Sequence, residues 1–150
     1  MNNLKDSFDS AVTSYVDELI QNDCVVGILL TGRAGRDDYD EFSDIDNVVV
    51  VNEVFFKDLK LNIKEGKFYR NNFLFDSRIV SLESFVGPWS DDMFFAYLKS
   101  AKIVFDQTQS IKKTIGIKNR DWLKISNHKL FLALVNLRVI YEFVYNWKNL

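Results

Sequence analysis

Residue types that build cross-linked or metal-rich sites are nearly absent from this chain of 150 residues, which holds one cysteine and one histidine. With Cys24 alone, no intrachain disulfide can form, and a single thiol at the start of an apolar run is expected to be a small buried hydrophobe. His128 as the sole histidine leaves a His-dependent triad or a zinc cluster with little support. It reads as a partly exposed helical residue, the alternative being a general base reaching in from the last helix. An excess of positive charge is missing too. Lys and Arg number 19 against 21 Asp and Glu, a net charge of -2, which argues against a general nucleic-acid coat protein. The N-terminus lacks the basic, apolar and small-residue pattern of a signal sequence, so a cytoplasmic location is expected. No repeat or low-complexity tract is visible.

What is present suits an ordinary folded domain. Hydrophobic residues make up 47% and aromatic residues 15% of the chain, with thirteen Phe, a composition too apolar for disorder. The length is that of one domain and is enough to bury a core. Charge is unevenly spread, with acid concentrated between Asp37 and Asp46 and base from Lys99 to Lys129. A basic half facing an acidic site suits a polyanionic substrate, although a solvated surface gives the same pattern.

Periodicity outlines the elements. Leu4, Phe8, Val12, Tyr15, Val16, Leu19 and Ile20 recur at helical spacing, with Asn2 or Asn3 as cap and a stop at Asn22-Asp23. Val25 to Thr31 reads as a strand buried on both faces. Residues 33–43 read as a polar loop, in which Asp37, Asp38, Asp40 and Glu41 form a solvated, mobile stretch, the alternative being a role in attracting a cationic acceptor, and Asp44 to Val51 reads as a second strand. Between Glu53 and Lys64 the pattern fits a short helix, the alternative being an edge strand; a short strand is expected at Lys67–Arg70, a turn at Asn71-Asn72 and a strand from Phe73 to Val80. Ser81 is placed to cap a helix that Gly87-Pro88 breaks. A further helix from Ser90 to Ser100 turns Phe94, Phe95 and Leu98 inward, Ile103–Phe105 is a last strand, and Lys118–Arg120 is a linker turn. Trp89 and Trp122 flank the Ser90–Ser100 region and read as core.

The chemistry sits between the first two strands, in Gly32-Arg33-Ala34-Gly35-Arg36 and on to Ser43-Asp44-Ile45-Asp46. Carboxylates at i and i+2 on a strand share one side of the sheet. Two like charges that close repel unless something positive lies between them. Hard oxygen ligands of this kind favour magnesium. The glycine turn ahead of them offers backbone amides where a phosphate can lie close. A second signal lies on the strand Phe73–Val80, where Asp76 is a lone acid amid apolar residues and needs a partner. A pair with Arg78 or with a lysine would satisfy it.

This run resembles the signature of the nucleotidyltransferase superfamily that includes DNA polymerase β and the small antibiotic nucleotidyltransferases. The usual form is a Gly-Ser turn, an arginine-containing loop, then Ser-Asp-x-Asp entering a strand. Gly32 matches the glycine, Arg36 the loop arginine, Ser43 the serine, and Asp44 and Asp46 the metal-binding acids. Arg33 stands where the family has a serine that helps hold the triphosphate; it either binds phosphate as a charged fork or marks a site that has drifted. The resemblance covers roughly residues 23–85. It implies an α+β fold, a mixed β-sheet flanked by helices. It also implies a third carboxylate on the neighbouring strand, for which Asp76 is the candidate and Glu83 the fallback.

The implied activity is a magnesium-dependent nucleotidyltransferase, an enzyme moving an NMP group from an NTP to a hydroxyl acceptor with release of pyrophosphate. In it Asp44, Asp46 and Asp76 hold two Mg2+ ions, and Gly32, Arg33, Arg36 and Ser43 bind the nucleotide. Two alternatives remain open. One is an antitoxin-type minimal member that acts on or binds a helical protein partner. The other is a degenerate nucleotide-binding module. The stretch Leu130 to Tyr145 is apolar almost all round a helix, interrupted by Asn136, Arg138 and Glu142, and is too short and interrupted for a membrane span. It is expected to be a long C-terminal helix covered by a second copy, a helical partner or a further helical domain. The expected division is a catalytic domain at 1–117 and this C-terminal helix at 118–150.

Overall fold

Apolar residues at helical spacing coil into α1 (Leu4–Leu19), which buries Phe8, Ala11, Val12, Tyr15 and Leu19 along one stripe. The computed structural model describes residues 4–57, 63–88, 98–121, 134, 135 and 137. The chain divides into two units, Met1–Ile115 and Gly116–Leu150. In the first, the elements after α1 are β1 (Val25–Leu30), α2 (Gly32–Arg36), β2 (Ile45–Val51), α3 (Glu53–Lys57), β3 (Gly66–Arg70), β4 (Phe73–Ser81), α4 (Leu82–Val86) and β5 (Lys102–Asp106).

The strands form one five-stranded mixed sheet in the order β3-β4-β2-β1-β5. β2 runs parallel to β4, and the other neighbours pair antiparallel. The central positions explain the unbroken apolar runs, because β1 is buried at every residue and β2 at all but Asp46. On one side of the sheet α1 packs with Ile28, Leu30, Ile45, Val49, Val51 and Phe75. On the other, Val26, Leu29, Val48 and Val50 pack with Phe85, Leu98 and Ile111. This first unit is thus an α+β domain with helices on a mixed sheet.

Local chemistry sets the turns. Asn71 and Asn72, at φ of 50° and 65°, make the two-residue reversal that joins β3 to β4 with the twist a hairpin needs. Ser81 caps α4, its Oγ accepting the Ser84 N–H at 3.1 Å.

Two expectations need correction. Residues 33–43 are not all loop, since Gly32–Arg36 form the single-turn helix α2. It closes on Asp37 in the left-handed region, whose N–H bonds the Arg33 carbonyl. Lys118–Arg120 is not a linker turn, because residues 110–121 are helical. Most of the expected helix 90–100, with Trp89, Phe94 and Phe95, lies outside the described residues, as do Asn2, Asn3, Trp122 and His128. So does most of the expected C-terminal helix; of it, residues 134, 135 and 137 are described, and they are helical. Among the described residues no helix is long and apolar enough to cross a membrane.

Candidate metal centre

Strand register assembles the acids. In the parallel ladder Asp46 lies opposite Asp76, so their side chains stand on the same side of adjacent strands. Asp44 sits two residues before Asp46, just ahead of β2, and comes to the same point. Asp44, Asp46 and Asp76 each offer a carboxylate oxygen, and these atoms all lie within 4.8 Å of one another. Glu83, on α4, is exposed and is not part of this group.

Three hard oxygen donors fit magnesium. Opposite ligands of an octahedral ion stand about 4.2 Å apart, twice the bond of about 2.1 Å. Adjacent ligands stand about 3.0 Å apart, so oxygens within 4.8 Å of one another are near that spacing and would draw closer around an ion. Asp44 and Asp76 keep 38% and 37% of their side-chain surface open, which leaves room for substrate or water oxygens.

The acids rest on a buried polar seam on the opposite face of the sheet. Asn47 pairs with Ser77 in the ladder; the Ser77 hydroxyl donates to Asn47 Oδ1 at 2.8 Å, and Asn47 Nδ2 donates to the Ile45 carbonyl at 3.3 Å. The Tyr15 hydroxyl lies 3.2 Å from Ser77 Oγ, so α1 is bonded to β4, which carries Asp76, and through Ser77 to Asn47 on β2, which carries Asp46. Burial pushes the Tyr15 phenol up from its ordinary value, against the smaller opposing effects of the Ser77 hydrogen bond and Arg70. Asp46 is also held by its backbone, its carbonyl accepting the Thr31 N–H at 2.9 Å.

The candidate nucleotide-binding residues stand in the connection between β1 and β2. Gly32 begins α2 at φ 56°, a conformation glycine adopts without cost. Arg33 donates to Asp40 at 2.6 Å and to Ser43 at 3.2 Å. Ser43 in turn donates to Asp40 at 2.7 Å. That hydroxyl, then the Phe42 N–H and Arg33, hold the Asp40 carboxyl below its usual range. Arg36 pairs with Asp38 at 3.0 Å, and Asp37 with Lys102 at 3.1 Å. Tyr39 stacks on Phe8 with ring centroids 3.7 Å apart. The acidic stretch is thus tied down by guanidinium pairs and an aromatic contact.

Lys67 is the site residue that the sequence reading did not single out. Its Nζ stands 3.7 Å from Asp44 Oδ2 and 3.7 Å from Asp76 Oδ2, and this is the Asp–Lys pair left open above for Asp76. The signal was available: a two-residue Asn71-Asn72 turn pairs Arg70 with Phe73, and counting outward sets Lys67 opposite Asp76. No protein-family model and no curated protein matches the chain.

Proposed function

We propose that the chain is a metal-dependent nucleotidyltransferase that moves an NMP group from an NTP to a hydroxyl acceptor and releases pyrophosphate. The observation that carries this reading is the convergence of Asp44, Asp46 and Asp76 on one point at the end of β2. The likeness of Gly32, Arg36 and Ser43-Asp44-Ile45-Asp46 to the nucleotidyltransferase signature gives that point its chemistry. Asp44, Asp46 and Asp76 would hold magnesium, as two ions. When bound, magnesium supplies Lewis-acid stabilisation of the charge that develops on the phosphoryl group and the leaving pyrophosphate.

The chain's own residues do the rest. Asp76 accepts or orients the proton that leaves the acceptor hydroxyl. Arg33 and Arg36, with the backbone at Gly32, bind the β and γ phosphates. Since Arg33 and Arg36 are paired with Asp40 and Asp38, each exchanges an exposed carboxylate for phosphate as the nucleotide enters. Such exposed pairs are weak, so the exchange costs little.

Thermal melting with each of the four NTPs, with and without magnesium, tests the reading on wild type and Asp44→Asn. Ligand at a hundred times its dissociation constant adds about 2.7 kcal/mol of stability. A magnesium-dependent shift that disappears in the variant is the expected result. Asp44→Asn and Asp46→Asn should also abolish transfer while keeping the fold, as judged by circular dichroism. Full magnesium-dependent transfer by either variant would overturn the assignment, a melting shift in wild type without transfer points to a degenerate nucleotide-binding module, and no shift with any nucleotide counts against a nucleotide site in the chain alone.

A helical protein partner or a second copy is the further candidate for contact. Leu134, Val135 and Leu137 are helical and 57%, 41% and 62% exposed, apolar surface of the kind that association covers. Light scattering of the purified chain, alone and with co-expressed neighbours, distinguishes a dimer from a partner complex.

A further inference from the structure

We propose that Lys67 is a built-in counter-ion of the acidic centre, holding the place of a divalent cation and giving it up when the metal loads. The inference rests on the metal-centre reading above and adds a residue that reading does not contain. Three carboxylates whose oxygens lie within 4.8 Å of one another repel unless positive charge lies close. Lys67 supplies it from β3. Its Nζ is 3.7 Å from Asp44 and 3.7 Å from Asp76, beyond the 2.7–3.2 Å of a hydrogen bond. An ammonium equidistant from two carboxylates, bonded tightly to neither, occupies the position of a shared charge.

The fold puts it there. Lys67 pairs with Asp76 across the hairpin, and Asp76 with Asp46 across the next ladder, so the three side chains form one row on one side of β3, β4 and β2. β3 is one of the two edge strands of the sheet among the described residues, and the Lys67 side chain is 60% exposed. A compact charge on a flexible four-carbon stem at an exposed edge can swing out to solvent. A divalent ion brings twice the charge and binds carboxylates directly, so ion and ammonium exclude each other by repulsion. Lys67 therefore weakens the metal affinity of the nucleotide-free protein.

Calorimetric titration of the full chain with MnCl2, without nucleotide, tests this on wild type, Lys67→Met, Lys67→Arg and Asp46→Asn. Lys67→Met keeps the apolar stem and removes the charge. It should bind Mn2+ roughly two- to tenfold tighter than wild type, the scale set by one or two partly exposed ion pairs. Lys67→Arg, which restores the charge, should return the affinity to the wild-type level. A role limited to holding the hairpin together predicts no gain in affinity for either variant. If wild type binds Mn2+, Asp46→Asn abolishes binding and Lys67→Met binds no tighter, the counter-ion role is overturned while the metal centre stands. If no variant and no wild-type sample binds Mn2+, the metal centre and the counter-ion role fall together.

Discussion

A Cβ added at Gly35 would stand 2.6 Å from the Leu30 carbonyl oxygen and 3.0 Å from that of Ser100, backbone atoms that cannot swing aside as a side chain does. Gly35→Ala is therefore expected to push α2 away from β1 and to destabilise the protein by about 1–3 kcal/mol, the usual cost of overpacking. A lowered urea midpoint checks it. The same shift displaces Arg33 and Arg36, so on the proposed function nucleotide affinity should fall with stability. At this scale the sequence was readable where one periodic rule decides the outcome. Asp44 and Asp46 share a side because strands alternate, and Asp76 joins them on the neighbouring strand. It was unreadable where a loop's path decides. Nothing in the spacing of Arg33, Asp40 and Ser43 announces that the three bond one another, because the return of an irregular segment depends on contacts such as Tyr39 on Phe8. Gly35 is another case, since its close approach exists only once α2 lies on β1.

Elements with strong local signals follow their sequence. α1 has a stripe, the β3–β4 hairpin has two asparagines in the left-handed region, and α4 has a cap. α4 depends on that cap because five residues cannot sustain a helix alone. Ser81→Ala removes the acceptor of the Ser84 N–H and should cost about 1 kcal/mol. The cost should appear in the midpoint of urea unfolding, with the slope unchanged. α4 also holds Phe85 in the core beside Val48 and Val50, so the loss reaches the strand that carries Asp46. Two elements went the other way for stated reasons. α2 has two glycines in five residues, and packing rather than propensity holds it, with Ala34 fully buried. Residues 118–120 are polar and suggest a linker, yet a helix with one solvated face is polar on that face. The preceding turns show the buried side, with Ile111 and Thr114 buried and Ile115 packed on the core.

For the whole molecule, two buried protonated groups among the described residues, Cys24 and Tyr15, make stability fall in alkali. Cys24 is 2% and Tyr15 4% exposed, and burial raises the thiol above its ordinary 9.0 and the phenol above its ordinary 10.0. Below about pH 8 both are protonated in the folded and the unfolded chain, and neither makes stability depend on pH. As the pH passes 9 and then 10, the unfolded chain loses these protons first while the folded chain keeps them. Stability therefore falls with rising pH, by at most about 1.4 kcal/mol per pH unit for each group. Urea midpoints between pH 7 and 11 should be level at first, then decline in two overlapping stages. Tyr15→Phe separates them. It removes the hydroxyl that meets Ser77, costing about 1 kcal/mol at pH 7, and it flattens the stage above pH 10 while leaving the earlier one. Because Tyr15 joins α1 to the seam beneath Asp46 and Asp76, the variant also asks whether the acids keep their spacing without that bond. An unchanged alkaline limb in Tyr15→Phe would show that the phenol ionises equally in the folded and unfolded chain, contrary to its burial.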